Sequence, residues 1–333
     1  MNPPPSRFEP HKSGQDQAPP RCPCCGGGRV AKAFDSIEEG FSVLRCPDCG
    51  LGRTWPVVPG PEIGRWYPEV YYGRENVRFN PVFEALTRLF RRRRASVLYN
   101  RVPRGPVLDV GCGRGFILRY LKDLGYEAHG TEYSETAAWH ARSVLGLEVS
   151  TGDFLQSPHE KDRYHAVVFW HSLEHMPDPF EAVARARELL KTGGLLAVAV
   201  PNFESAQSRA FGRRWFHLDV PRHYYHFGAR SLEAVLQRYG FRVVQLDHFS
   251  FEQNPYGWLQ SLFDALGFEH NFLYDLLKSR GARSRRIRHH PFQALGTLLL
   301  LPVLVPLVLA LTLWETAART GGTIELYAIK EHE

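Results

Sequence analysis

Two Cys-x-x-Cys pairs near the start of the chain are the first residues whose spacing suggests chemistry. Cys22 pairs with Cys25, and Cys46 pairs with Cys49, each on a tight turn that aims both sulfurs at one point. Four thiolates so arranged close a tetrahedral zinc site with no open position, which makes the metal structural. Cys24 is a spare thiol that could substitute, and six free thiols are the alternative. Metal-ligand spacing rather than disulfide spacing also favours a reducing compartment.

A glycine-rich turn between a strand and a helix is the second signal. Residues 107–110 form an apolar run with β-branched side chains, typical of a buried parallel strand, and residues 116–124 have helical apolar spacing. Between them, Gly111, Gly113 and Gly115 can adopt positive φ and let a ligand lie against the backbone. Further on, Glu132 ends a second candidate strand, where an acid can accept hydrogen bonds from ribose hydroxyls. The pattern predicts a nucleotide-like cofactor.

These segments resemble the class I S-adenosylmethionine-dependent methyltransferases. The residues that carry the resemblance are 108–115 (LDVGCGRG), Glu132, 152–154 (GDF) and 170–179 (WHSLEHMPDP). The glycines are spaced G-x-G-x-G, whereas a dinucleotide-binding turn usually reads G-x-G-x-x-G. A dinucleotide enzyme or a plain structural turn is the alternative. The resemblance implies an α/β fold with a Rossmann-like seven-stranded sheet and S-adenosylmethionine as the cofactor.

The resemblance also implies roles for single residues. The backbone of residues 111–115 would face the methionine part of the cofactor, with Asp109 fixing the turn, and Glu132 would bind the ribose. The expected cofactor-binding residues are Asp109, Gly111, Gly113, Gly115, Glu132, Asp153, Phe154, Trp170 and His171.

The last four of these residues complete the expected cofactor site. In the family, the acid at the position of Asp153 binds the adenine amine, and Phe154 can pack on the ring. Trp170 and His171 would close the site beside the sulfonium. Asp153 could instead cap a helix, because an Asp before a helical turn commonly accepts backbone hydrogen bonds.

A second dense group of titratable side chains follows the fifth predicted strand. Residues 213–227 carry His217, His223, His226 and Tyr224 where the substrate loop of this fold lies. Methyl transfer to a hydroxyl or carbon acid needs a base, and histidine suits that near neutral pH. We expect His223 to be the base, with His226 and Tyr224 as the other catalytic candidates; packing and capping roles are the alternative. A second metal site is disfavoured, since no acid or cysteine pair accompanies these histidines at ligand spacing.

The loop is similar to that of a subgroup with an N-terminal zinc ribbon, which includes sugar C-methyltransferases and envelope-polysaccharide and lipid-directed methyltransferases. The acceptor would be a small molecule, a glycan or a lipid-linked molecule. Nucleic acid is not expected, because neither an Asn-Pro-Pro-Tyr-like motif nor a cysteine-nucleophile motif is present.

An uncharged apolar run, residues 292–314, is long enough to cross a bilayer at about 20 residues per span. A basic stretch, residues 278–290, precedes it, as is typical of a cytoplasmic flank. Pro302 and Pro306 predict a break near the middle, and the last strand must rejoin the sheet on the same side. We therefore expect a re-entrant hairpin or a pair of interfacial helices at the cytoplasmic face of the membrane. The alternatives are a buried helix pair, an oligomer interface in a cytoplasmic protein, or a true span.

The chain has 333 residues, a length sufficient for one large domain or two. Its net charge is +6. Alternating patterns predict a doubly wound sheet. We expect an N-terminal helix whose inner face includes Leu86, Leu89 and Phe90. The expected regions are a disordered tail (1–20), a zinc ribbon (21–54), a connector and helix (55–100), a methyltransferase domain (101–250 and 321–333) and an apolar membrane-associated insertion (251–320).

The sequence favours a membrane-associated methyltransferase. A soluble methyltransferase for a nucleotide-linked sugar is the first alternative, with the apolar run as an oligomer interface. A non-catalytic membrane scaffold is the second, and the intact glycine turn argues against it.

Overall fold

The computed structural model describes residues 21–36, 38, 40–67, 81–278 and 280–332. The predicted tail, residues 1–20, and residues 68–80 of the connector lie outside the described residues.

The N-terminal cysteine region forms a small antiparallel sheet. Its strands are β1 (Ala31–Asp35), β2 (Ser42–Arg45) and β3 (Gly52–Trp55). The segment 213–227, predicted to be the substrate loop, is called the acceptor loop below. Its short strand β9 (Tyr225–His226) pairs with β3 as the fourth strand of this sheet. The ribbon is therefore joined to the acceptor loop through main-chain hydrogen bonds, which its own sequence does not reveal.

The seven-stranded sheet predicted from the sequence is confirmed. All strands are numbered in chain order, and β9 (Tyr225–His226) belongs to the smaller sheet. The seven strands of the large sheet are β4 (Pro106–Val110), β5 (Glu127–Glu132), β6 (Glu148–Thr151), β7 (Tyr164–Trp170), β8 (Leu190–Pro201), β10 (Phe241–Asp247) and β11 (Thr323–Lys330). The spatial order is β10-β11-β8-β7-β4-β5-β6, and β11 runs antiparallel between β8 and β10. Strands β4, β5 and β7 end at one edge, as parallel strands of an open α/β sheet must.

Helices cover both faces of the sheet. They are α1 (Pro81–Tyr99), α2 (Phe116–Asp123), α3 (Glu135–Ser143), α4 (Pro179–Leu189), α5 (Ala206–Phe211) and α6 (Ala229–Arg238). Alternate residues of β4 face opposite sides, so Leu108 belongs to one apolar core and Val107 to the other.

The predicted inner face of α1 is wrong in part. Phe90 is buried, but Leu86 and Leu89 are exposed, and Thr87 and Leu98 are buried instead. The helix is rotated from the orientation that an apolar-periodicity argument gives, because polar residues of α1 also make contacts with neighbouring elements. One of them is the half-buried Arg94, which bonds Glu252 at 2.7 Å.

The insertion before the last strand contains four helices: α7 (Gln253–Ala265), α8 (Phe272–Leu277), α9 (Arg280–His289) and α10 (Pro291–Ala317). The predicted break in the apolar run is wrong, because α10 is one helix of 27 residues that passes through Pro302 and Pro306. Both prolines are exposed and four residues apart, so their rings lie on one outer face of the helix.

One face of α10 lies along the insertion for most of the helix. Gly296 approaches Phe268, Val308 packs with Trp258, and Glu315 at the other end is fully buried. The Glu315 carboxylate accepts hydrogen bonds from Gln207 Nε2 and Trp258 Nε1, both at 2.9 Å. These contacts hold the helix against the domain at both ends.

Candidate active site

The glycine turn has the conformation that its sequence predicts. Gly111, Gly113 and Gly115 have φ angles of +76°, +57° and +79°. A side chain at Gly111 would collide with Ser172, whose Cβ lies 2.6 Å from the position of the added Cβ. A Cβ at Gly113 would meet no atom within 4 Å, so the backbone there faces open space. The turn can therefore present its main chain to a ligand.

Glu132 lies directly beside this turn. Its Oε2 accepts a hydrogen bond from the Gly113 amide at 2.7 Å, and its Oε1 accepts one from the Ser134 amide at 2.8 Å. A carboxylate oxygen can accept more than one hydrogen bond, so these contacts are compatible with a ribose hydroxyl as a further donor. The acid thus fixes the shape of the turn in addition to any role in binding a cofactor.

Asp109 is buried at the end of β4. Its Oδ1 has no hydrogen-bond partner among the described residues. Burial raises the pKa of Asp109 to about 7, while the nearby Arg94 guanidinium works against the rise. The Asp109 carboxylate thus has an unpaired oxygen beside a glycine turn whose backbone faces open space. This arrangement fits a binding site for a polar cofactor such as S-adenosylmethionine.

Asp153 and Phe154 lie at the adenine end of the expected site. Asp153 caps a short helical turn, because its Oδ1 accepts a hydrogen bond from the Leu155 amide at 3.0 Å. Asp153 therefore has the helix-capping role that the sequence offered as the alternative to adenine binding. Its Oδ2 takes no part in the capping hydrogen bond. Phe154 is buried and packs edge-on against Phe169, with ring centroids 5.9 Å apart.

Trp170 and His171 follow at the carboxyl end of β7. Trp170 is buried, and its Nε1 has no partner among the described residues. His171 has a φ of +53°, a conformation that non-glycine residues adopt at a cost of about 1–3 kcal/mol and that clusters at functional sites. Burial lowers the pKa of His171 to about 4, so the ring is neutral. His171 lines the cavity described below.

His226 and Tyr224 occupy buried positions in the acceptor loop. The Nε2 of His226 forms a hydrogen bond with Thr54 Oγ1 of the ribbon at 3.0 Å. Burial lowers the pKa of His226 to about 3, which makes its ring a weak base. The Tyr224 hydroxyl has no partner among the described residues, and burial raises its pKa to about 12. The side chains of His226 and Tyr224 are therefore both uncharged near neutral pH, and neither of them lines the cavity described for this site.

His223 lines the cavity and lies against a histidine from another part of the chain. Its ring centroid is 4.5 Å from that of His175, and its Nε2 is 3.8 Å from Asp219 Oδ2. Burial, followed by the nearby His175, lowers the pKa of His223 well below its usual value. The ring is therefore neutral and has a lone pair to offer. His217, which lies earlier in the loop, forms a hydrogen bond with the Gln253 carbonyl at 3.1 Å.

Glu174 is the site residue that sequence reasoning missed. It lies in a short turn, Leu173–His175, directly after β7, and its side chain is 1% exposed. Neither carboxylate oxygen has a hydrogen-bond partner among the described residues, and burial raises its pKa to about 7. The signal was in the sequence, since the segment 171–175 reads His-x-x-Glu-His.

A cavity of about 720 Å³ joins these groups to the insertion. It is lined by the end of β7, the glycine turn, the acceptor loop, α1 and the helices α7 to α9. Its walls include His171, Glu174, His175, Asp219, Arg222 and His223 on one side and Tyr256, Tyr274, Asp275, Lys278 and Arg286 on the other. The volume is that of a pocket for a small molecule or for one end of a larger one.

The four predicted zinc ligands converge in the ribbon. Cys22 and Cys49 have their sulfurs 3.5 Å apart, and Cys25 and Cys46 have theirs 3.6 Å apart. Zinc–sulfur bonds of ~2.3 Å in a tetrahedron place the sulfurs ~3.8 Å apart, so the group fits zinc. The spare thiol, Cys24, is not one of these four; its sulfur lies 3.8 Å from the Ser231 carbonyl and is also close enough to Cys49 to interact with it.

Comparison with known proteins supports S-adenosylmethionine as the cofactor. A family model described as a methyltransferase domain matches residues 78–246. A protein of Mycolicibacterium smegmatis named "Probable S-adenosylmethionine-dependent methyltransferase" is 26% identical over 159 residues, 45% of this chain and 59% of that protein. A "Ubiquinone biosynthesis O-methyltransferase" of Brucella anthropi is 28% identical over 212 residues, 57% of this chain and 81% of that protein. The chain spans between 42% and 62% of the lengths of the first three curated relatives it matches.

A solved structure shares the fold. Phosphoethanolamine N-methyltransferase 2 of Haemonchus contortus, in complex with S-adenosyl-L-methionine, aligns with 84% of this chain and 62% of its own length. The TM-score is 0.51 at 14% sequence identity, which speaks for the fold alone. With the strand order, the glycine turn and the family match over residues 78–246, the chain belongs to the methyltransferase-domain family and has the class I fold of S-adenosylmethionine-dependent enzymes.

Proposed function

We propose that the protein transfers a methyl group from S-adenosylmethionine to an acceptor held in the 720 Å³ cavity. The observation that carries this proposal is the position of the glycine turn. Arg114, inside the turn, and His171, at the end of β7, both line the cavity, which also contains His223. The proposed cofactor site and the neutral imidazoles thus open on one space.

The cofactor would supply an electrophilic methyl group on a sulfonium. We assign the backbone at Gly111, Gly113 and Gly115, together with Asp109 and Glu132, to holding it at the edge of the sheet. Asp153 and Phe154 would bind its adenine end, and Trp170 and His171 would enclose the reactive end. In the transfer, the acceptor atom forms a bond to the methyl carbon, the carbon–sulfur bond breaks, and its electron pair stays on sulfur.

His223 is our candidate for taking the proton that the acceptor loses. The ring is neutral and lines the cavity, and a positioned base contributes roughly 10²–10⁴-fold to such a step. We place His226 and Tyr224 behind it. Their contacts to the ribbon and the core support a role in holding the loop.

The acceptor is proposed to be a hydroxyl of a lipid-linked or glycan molecule. Two observations favour a hydroxyl: the relatives named as O-methyltransferases, and the base next to the cavity. The insertion favours a membrane-bound acceptor, since α7 to α9 line the cavity and lead into α10. A nucleotide-linked sugar is the alternative acceptor.

The exposed face of α10 supports attachment to a membrane. Within the described residues, α10 is the one helix long and apolar enough to cross a bilayer, and 17% of its most apolar window is buried. Core helices of soluble proteins can pass the same test of length and composition, but they are mostly buried. Phe292, Leu298, Val303 and Leu313 are each at least two-thirds exposed.

We propose that α10 lies flat in the interface of the cytoplasmic leaflet. At ~1.5 Å per residue its 27 residues extend ~40 Å, enough to span a ~30 Å core. However, its buried face follows the insertion, and β11 returns to the sheet directly after it. A helix held along one side of the domain can offer only its opposite face to lipid. The basic helix α9 precedes it, with exposed Arg285 and Arg288 beside the anionic headgroups.

The function is tested with isotopically labelled S-adenosylmethionine. Purified protein is incubated with membrane lipid and glycan extracts, and labelled products are identified by mass spectrometry. We expect one labelled lipid or glycan with the wild-type protein and none with Glu132→Ala. The variant Glu160→Ala, at an exposed carboxylate with no proposed role, should label normally. Labelling of a nucleotide sugar alone would overturn the membrane acceptor, and no labelled product from any extract would overturn the transferase assignment.

A further inference from the structure

Glu174 is a buried carboxylate with nothing in the described structure to bind it. It is 1% exposed, and both of its oxygens lack a hydrogen-bond partner among the described residues. An unpaired buried charge is strongly unfavourable, so proteins pair such groups or use them to coordinate metals. The side chain lines the cavity, so the group that satisfies it can arrive from that space.

Two imidazoles stand next to this carboxylate. One ligand atom each from Glu174, His175 and His223 lies within 4.8 Å of the other two. A divalent ion with bonds of ~2.1 Å holds its ligand atoms ~3–3.5 Å apart, so each separation between ligand atoms needs to shorten by at most about 1.3–1.8 Å. Two histidines and one carboxylate with positions left open are a common donor set for divalent transition metals.

The surrounding contacts orient the rings for coordination. The Nδ1 of His175 lies 3.1 Å from the Arg222 carbonyl and 2.9 Å from the Tyr67 hydroxyl. A carbonyl can only accept, so Nδ1 carries the proton and Nε2 has the lone pair that a metal needs. Such a contact behind a ligand is usual at metal sites, where it fixes the tautomer and the ring direction.

His171 adds a fourth group. Its Nδ1 lies 3.6 Å from Glu174 Oε1, and its backbone is held at positive φ. The spacing of 171, 174 and 175 brings three donors to the end of β7, and His223 comes from the acceptor loop nearly fifty residues later. The carboxylate of this group is therefore supplied by the turn after β7 and not by the loop that carries His223.

We propose that Glu174, His175 and His223 bind a divalent first-row transition metal, with zinc(II) or manganese(II) as the expected ion, and that its open positions face the acceptor cavity. The site is separate from the four-cysteine group, which uses all four positions of its metal. It deepens the proposed function and rests on it, because the ion would bind the acceptor hydroxyl. A metal-bound hydroxyl loses its proton more easily, as metal-bound water does. In that arrangement His223 is a ligand, and the acceptor proton leaves to solvent.

Metal analysis of the whole chain tests the site. Wild-type protein loaded with zinc and desalted should contain two metal ions per chain, of which a mild chelator removes one. Glu174→Gln and His175→Ala should each reduce the content to one, and His332→Ala, at an exposed histidine, should retain two. One ion per chain in the loaded wild type, or two in both cluster variants, would overturn the proposal.

A measurement on the wild type alone covers the case in which a variant fails to fold. Chelator-treated protein that retains its tightly bound ion is titrated with cobalt(II), and binding is followed by absorbance. A second equivalent that gives weak bands without a thiolate charge-transfer band supports the Glu174 site. A thiolate band, or no second equivalent, contradicts it. Binding of S-adenosylmethionine is measured by calorimetry on the same samples. Normal cofactor binding with a single metal ion per chain would contradict the metal site alone. Two metal ions per chain without cofactor binding would contradict the transferase assignment.

Discussion

The Oγ1 of Thr54 in the ribbon lies 3.0 Å from the Nε2 of His226 in the acceptor loop. The same hydroxyl donates to the His223 carbonyl at 2.5 Å, and the Thr54 amide donates to the Tyr224 carbonyl at 3.0 Å. Three hydrogen bonds from one residue thus hold three successive parts of the loop. The four-cysteine ribbon is therefore hydrogen-bonded to the loop that we propose binds the acceptor, and we expect its integrity to matter to acceptor binding more than to cofactor binding.

This relationship gives the first prediction. Cys46→Ser removes one of four converging sulfurs, and a ribbon of this size depends on its metal for stability. We expect loss of zinc, strongly reduced acceptor turnover and retained binding of S-adenosylmethionine. Cys24→Ser is the matched control, because that thiol lies outside the group. Elemental analysis with calorimetry measures both effects, and a Cys46→Ser protein with full zinc content would contradict the assignment.

The second prediction concerns the cofactor. Glu132→Ala removes the proposed ribose acceptor and the bond that holds the Gly113 amide. We expect roughly 10- to 100-fold weaker binding of S-adenosylmethionine, which corresponds to about 1.5–3 kcal/mol for a lost hydrogen bond to a charged group. Isothermal calorimetry measures the change, with Glu160→Ala as the exposed control. An unchanged affinity in Glu132→Ala would remove Glu132 from the site.

The third prediction concerns His223. His223→Ala should reduce turnover on the acceptor by roughly 10²–10⁴-fold and leave cofactor affinity unaltered. The loss follows whether the ring accepts a proton or binds a metal. The two roles differ in metal content, because a base variant keeps both ions and a ligand variant loses one. Wild-type turnover in His223→Ala would transfer the role to another side chain.

The fourth prediction concerns the membrane. Leu298→Glu and Leu313→Glu place charges on the exposed face of α10. Burying a leucine contributes about 1.5–3 kcal/mol, so each change should weaken binding to anionic vesicles by roughly tenfold or more. Vesicle co-sedimentation measures the change in binding. Val144→Glu is the control, because Val144 is an exposed apolar residue outside α10.

The membrane prediction has two contrary outcomes. Equal vesicle binding by all of these variants would remove α10 from the membrane contact. Concentration-dependent association of the wild type that the α10 variants lose, in the absence of vesicles, would make the helix an oligomer interface. In intact cells, cysteine probes at positions 278 and 332 should both react only from the cytoplasm, and reaction of 332 from outside would mean a true span.

Much of this molecule follows from local sequence. The strand predicted over residues 107–110 spans Pro106–Val110, and the next strand ends at Glu132 as predicted, because apolar runs and flanking turns are local properties. The glycine turn and the cysteine pairs are likewise short-range, since positive φ and paired thiolates need only a few neighbouring residues.

Tertiary structure decided what depends on distant partners. Glu174 became a site residue because the fold places His223 beside it. Leu86 and Leu89 are exposed because α1 is oriented by its neighbours as well as by its own apolar spacing. The helix α10 runs unbroken past two prolines because the insertion supports one side of it from Gly296 to Glu315. The sequence alone determines which residues can bind a ligand, donate a hydrogen bond or adopt a turn conformation. Only the tertiary structure determines which of them come into contact, because contacts between distant segments depend on the packing of the whole chain.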